Sequence, residues 1–181
     1  MYLYFLPLAN GNSPIGPLPT QHEAVIPVPT PDGGIEHTAA RFLPPSTWLS
    51  MARSGEIILF PPQFFLLHLV SQFLSPTTTP NVLSPEHLGQ QRKQLMDFVK
   101  TGEPPWGEKC ISPSAVFKRK SDGRAVLGLD KPGPELEGKE RRGVEEWVVF
   151  VEFKKEGPRN VEVVGRKEAF EVEREEKREK L

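Results

Sequence analysis

Glu36 and His37 are the best-placed polar pair in this chain, a carboxylate beside an imidazole on a predicted strand, and they are the candidate substrate-binding residues. The competing reading leaves both on a solvated strand surface. The other histidines, His22, His68 and His87, show no HxxxH or HxH spacing, so a zinc site is not expected. His68 falls inside an apolar run and reads as a hydrogen-bonded core histidine; His22 and His87 read as surface residues. Cys110 is the only cysteine, which excludes an internal disulfide and a cysteine-based zinc cluster and fits a plain thiol in a reducing compartment. Ser112-Pro113-Ser114 has no histidine near it and reads as a loop. There is no phosphate loop with a lysine, no GxGxxG after a strand and no GxSxG. Lys118-Arg119-Lys120 could meet a phosphate, although a solvated turn accounts for it more simply. These residues by themselves assign no catalytic group and no metal ligand.

The elements that would carry them centre on residues 53–74, RSGEIILFPPQFFLLHLVSQFL. Pro61 and Pro62 suit the start of a helix, because the first helical N–H groups have no partner and proline presets φ. The helix that follows holds Phe64, Phe65, Leu66, Leu67, Leu69, Val70, Phe73 and Leu74, apolar nearly all round, so it is expected to be buried. It is too short for a bilayer. Before it, a strand is expected over residues 1–8, an edge strand near 24–29 and a strand over 35–42 that carries Glu36 and His37. Ser46 is the expected N-cap of a short helix over 47–53 that stops at Gly55. After it, Ser84-Pro85-Glu86 opens an amphipathic helix reaching Lys100, with Leu88, Leu95, Phe98 and Val99 on one face. A hairpin is expected over 115–129 around Ser121-Asp122-Gly123, and a second one pairs 147–153 with 161–164. Trp48, Trp106 and Trp147 read as packing residues. Residues 166–181, with six basic and six acidic side chains, read as a solvated single helix or a frayed end.

The order of elements predicts an α+β fold. Net charge is −1, which offers no footprint for nucleic acid or for an anionic membrane. Residues 1–100 hold 5 Lys/Arg and 6 Asp/Glu, while 101–181 hold 18 of each, so the first part should be core-rich and the second solvated. The start, MYLYFLPL, has no basic n-region and no cleavage pattern, so a secreted protein is not expected. A strand at residue 1 suggests that the chain begins within a domain. An intracellular location is expected, whether cytoplasmic, peroxisomal or mitochondrial. The C-terminal Glu179-Lys180-Leu181 matches the Ser-Lys-Leu peroxisomal address only in part.

Three segments resemble the Nudix hydrolases, and within them the acyl-CoA diphosphatase-like branch: EHTAARFLPP (36–45), TWLSMARSGE (47–56) and LFPPQFFLLHLVSQFL (59–74). The Arg41-Phe42 pair after a strand, followed by a helix, is similar to the late part of a Nudix domain, and the PPQF run is more particular to this branch. Residues 118–133, ending in VLGLDKPG, resemble the same branch's C-terminal extension. The resemblance covers most of the chain and aligns with the later half of the family. It implies a partial Nudix-like α/β/α fold, a mixed sheet with packed helices, followed by β-hairpins and a charged terminal helix. Residues 1–102 would be the end of the Nudix-like domain, 103–165 a hairpin-rich extension of it and 166–181 the tail.

The family's box, G-x5-E-x7-R-E-U-x-E-E-x-G-U with U aliphatic, places glutamates on one helix to bind Mg²⁺ or Mn²⁺, which polarise a phosphoanhydride and activate water. Here Gly165 and Glu171 match its first part by chance, but Glu179 stands where arginine is required. Arg174-Glu175 begins as the box does, yet Glu176 takes the aliphatic place and Arg178 a glutamate place. A coenzyme A signature is absent upstream. The expected function is therefore Nudix hydrolase-like, of the acyl-CoA or nucleoside diphosphate-X pyrophosphohydrolase type, inactive as this chain. Mg²⁺ or Mn²⁺ belongs to the resembled family and has no ligands of its own here. A complete protein would take a nucleoside diphosphate-linked or CoA-type small molecule. The alternative is a non-catalytic binding or interaction remnant, self-associating through exposed apolar surface until a partner covers it. In the resembled fold, a glutamate near Glu36 can face the phosphate site.

Overall fold

The computed structural model describes residues 43–74, 85–139 and 141–178. The strands expected over 1–8, 24–29 and 35–42, and with them Glu36, His37 and His22, lie outside these residues. What is described is α+β: four helices and a four-stranded antiparallel sheet.

Helix α1 (Pro45–Ser54) starts one residue before the expected cap. Pro44 takes the cap position with extended ψ, and Pro45 occupies the first helical position, where its missing N–H is no loss. Ser46 is therefore inside the first turn. The helix ends as expected at Gly55, which adopts φ +82 while the Glu56 N–H donates to the Met51 carbonyl at 2.9 Å. Helix α2 (Pro61–Ser71) is capped by Phe60, whose N–H donates to Gln63 Oε1 at 3.1 Å. Pro61, Phe64, Phe65 and Leu69 are buried, whereas Leu66, Leu67 and Val70 are half-buried. The all-round apolar helix is thus covered on the sides facing α1 and the sheet. Helix α3 (Pro85–Val99) runs as predicted, with Leu95 and Gln91 buried. A 3-10 turn at Trp106–Glu108 follows it.

The two predicted hairpins form one meander, β1 (Ser114–Lys118), β2 (Ala125–Leu129), β3 (Val144–Lys154) and β4 (Gly157–Gly165), in that spatial order. Every pairing among the described residues is antiparallel. Strand β3 is central and sandwiched. Val149 and Val151 face the core made with Leu49, Ala52, Phe64, Phe65 and Leu69, while Val148 and Phe150 face a second core with Val126 and Ala169. That double burial explains the unbroken apolar run WVVFV, since a strand covered on both sides loses polar alternation.

Helix α4 (Arg166–Arg178) is the expected charged terminal helix, but it packs on that second face and is not solvated all round. Ala169 is 3% and Glu173 7% exposed, four residues apart on one stripe, and Phe170 meets Phe117 edge-on at 5.2 Å. The small side chain of Ala169 lets the helix approach the sheet. Ala169, Phe170 and Val172 within a run of charges are too weak a hydrophobic signal to be read without the sheet the helix packs on.

Candidate functional site

The densest polar cluster joins the β1–β2 turn to the far edge of the sheet. Asp122 is its centre. Its carboxylate accepts from Arg119 Nη1 at 2.9 Å and from Arg124 Nε at 2.7 Å. The other oxygen accepts from the Arg124 backbone N–H at 3.0 Å, closing the turn. Arg124 then crosses β3 to reach β4, where Nη1 lies 2.9 Å from Glu162 Oε2 and 3.1 Å from the Asn160 carbonyl. Asn160 is held at φ 51, and its amide donates to Glu152 Oε2 at 2.7 Å. Both guanidiniums stack over the buried Phe150 ring, at 4.9 and 5.1 Å from its centre. Burial pushes the Asp122 carboxyl up, but the Arg124 hydrogen bonds and the charges of Arg124 and Arg119 outweigh it and hold the carboxyl below its ordinary value. For Arg124 burial acts downward, and the bonds to Asp122 and Glu162 leave it more firmly protonated.

A shallow depression runs from this cluster around the β4 edge to Arg53 and His68, past Val161 and Val163. It is not one converging site. Glu162 and Phe150 belong to the α4 side of the sheet, while Val161 and Val163 pack with the α1–α2 side. His68 is half-buried on α2, edge-on to Trp147 at 6.1 Å. Its Nε2 faces the Gln72 amide nitrogen at 3.2 Å; an amide N–H only donates, so Nε2 accepts and the proton sits on Nδ1. Burial, then the Arg53 charge, holds His68 below 6.5. The unfolded chain accordingly binds a proton more readily, so stability is full above 6.5 and falls as pH drops through that value. Chemical denaturation at pH 8 and pH 5 should show this loss, and His68→Gln should reduce it.

Of the remaining sequence candidates, His87 sits exposed in the first turn of α3 with Gln91 Nε2 3.1 Å from its ring. Cys110 is a free, half-buried thiol. The Ser112 N–H donates to the Lys131 carbonyl, which uses the residue as a loop tie. Lys118-Arg119-Lys120 is more than a solvated turn, because Arg119 is committed to Asp122 and Phe150. Trp106 and Trp147 pack against the main core as expected. A second depression, beside α4, is lined by Asp130, Glu146, Arg166, Lys167, Phe170 and Arg174 among others; Arg166 pairs with Asp130 at 3.2 Å.

Among the described residues no group of three or more His, Cys, Asp or Glu is placed to hold a metal ion. Nor is any helix among them long and apolar enough to cross a membrane. Comparison of the chain with protein-family models, with curated proteins and with solved structures found no match. Geometry alone therefore defines the site. It offers a charge clamp that ties turn to sheet and a neutral histidine tied into a helix, both built for holding the fold.

Proposed function

We propose that the chain is Nudix hydrolase-like, of the acyl-CoA or nucleoside diphosphate-X pyrophosphohydrolase type, and that as it stands it turns over no substrate because it lacks the metal-binding box. The α1–α2 unit supports this most. Its residues carry the family resemblance, and five of its apolar side chains are spent on packing: Leu49, Ala52, Phe64, Phe65 and Leu69 are buried in one core with β3 and β4. Its polar members are used locally, Arg53 over the Phe64 ring at 5.5 Å, Gln63 at the α2 cap and His68 on Gln72. The unit is a scaffold to which a catalytic half would add its carboxylates and its CoA-type or nucleoside diphosphate-linked substrate. Calorimetric titration of the purified chain with Mn²⁺ at neutral pH should show no saturable binding; a stoichiometric site would overturn this reading.

One surface favours a second reading, an interaction module that needs a partner. Phe153 is 61%, Phe60 57% and Ile58 40% exposed. Ile58 lies against Gly157 at the start of β4, which brings the α1–α2 connection beside the end of β3. Apolar surface left open in this way favours association. Size-exclusion chromatography over a range of concentrations should show a larger species growing in on this reading, and a well-dispersed monomer throughout counts against it.

A further inference from the structure

The hairpin tip between β1 and β2 carries more positive charge than the clamp uses. Residues 118–124 hold Lys118, Arg119, Lys120 and Arg124 against Asp122 alone. Arg119 and Arg124 bond Asp122, and Arg124 also bonds Glu162. Lys118 and Lys120 are exposed and hold no ion pair among the described residues. Ser121 stands exposed at the apex, with three cations immediately before it in the chain.

We propose that Ser121 is a phosphorylation site for a serine/threonine kinase whose substrate cleft selects basic residues on the N-terminal side of the acceptor. Charge pattern is how such clefts discriminate among exposed hydroxyls. Ser112 and Ser114, by contrast, are half-buried and have no such run before them. Lys120, Ser121, Asp122 and Gly123 are all exposed, so drawing the turn into a cleft breaks the Asp122 bonds to Arg119 and Arg124 but pulls none of these four side chains out of the core. In the transfer, the Ser121 Oγ–P bond forms as the bond from the γ-phosphorus of ATP to its β,γ-bridging oxygen breaks. The hydroxyl proton passes to the kinase's catalytic base, and ADP leaves. The product carries about −1.5 to −2 charge at neutral pH. Lys118, Lys120 and Arg119 receive it, and it competes with Asp122 for Arg119, which loosens the clamp over Phe150.

The test incubates the full chain with the catalytic subunit of a basic-directed kinase and Mg-ATP, and locates phosphate by mass spectrometry. One phosphate on Ser121 is expected, and Ser121→Ala should abolish it. The double variant Lys118→Gln with Lys120→Gln changes only exposed side chains, so the fold is retained, and kcat/KM should fall about tenfold. In ³¹P spectra the phosphoserine's second ionisation should lie below the ordinary value of about 6, held down by the flanking cations. Phosphate landing elsewhere with Ser121 untouched, an unchanged rate for the lysine variant, or equal labelling by an acidic-directed kinase would each overturn the proposal.

Discussion

Replacing Gly143 by alanine lowers the unfolding free energy by about 3 kcal/mol. Gly143 is buried just before β3, where three chain segments meet. Its N–H donates to the Asp130 carbonyl at 3.0 Å, its own carbonyl accepts from Lys109 Nζ at 3.3 Å, and the neighbouring Arg142 carbonyl accepts from the Cys110 N–H at 3.0 Å. A Cβ added there would fall on the Leu129 carbonyl oxygen and close to the backbone of Asp130 and Cys110. Backbone cannot swing aside as a flexible side chain does, so either the β2–β3 junction moves or its ladder is lost. Gly55→Ala provides the comparison. Gly55 has φ +82 and nothing within 4 Å of an added Cβ, so only the left-handed backbone is penalised, by about 1 kcal/mol. Urea denaturation of the two variants separates the mechanisms; equal losses would contradict the close packing at Gly143.

Phe65→Ala should cost about 4 kcal/mol, the range for emptying a buried aromatic site. Phe65 is 0% exposed and sits 6.2 Å from the Trp106 ring. Trp106 in turn meets Phe98 of α3 at 4.9 Å, and Phe98 meets Phe73 at 5.0 Å. This row of rings ties α2 to α3 and to the 3-10 turn. Truncation at Phe65 should therefore blue- or red-shift Trp106 emission, and its cost should not add to that of Phe98→Ala, because both act through Trp106. Phe153→Ala, at 61% exposure, should cost about 0.5 kcal/mol or less. Thermal or urea unfolding ranks the two; comparable losses would mean that α2 is not the core helix.

The local elements were readable because their signals are local. Paired prolines opened α2, Gly55 stopped α1, and Ser121-Asp122-Gly123 marked the β1–β2 turn. The α1 start was misplaced by two residues because Pro45 at the first helical position outweighed Ser46 as a cap. What escaped depends on which strands lie side by side. The link from Arg124 to Glu162 spans 38 residues, and it exists only because the two hairpins share β3 as one sheet. The docking of α4 through Ala169 and the need for glycine at 143 have the same origin, a neighbour distant in sequence. His68 was readable from its apolar surroundings, whereas its tautomer needed Gln72 in place. Glu36 and His37 lie outside the described residues, so the strand that would carry them has no counterpart in the geometry above.

The central proposal is that the PPQF helix and its sheet form the non-catalytic portion of a Nudix-like hydrolase. Incubating the purified chain with coenzyme A and either Mg²⁺ or Mn²⁺, and following release of phosphopantetheine by mass spectrometry, tests it most directly. The expected result is no release above the protein-free control with either metal. Metal-dependent turnover by the pure chain would contradict it.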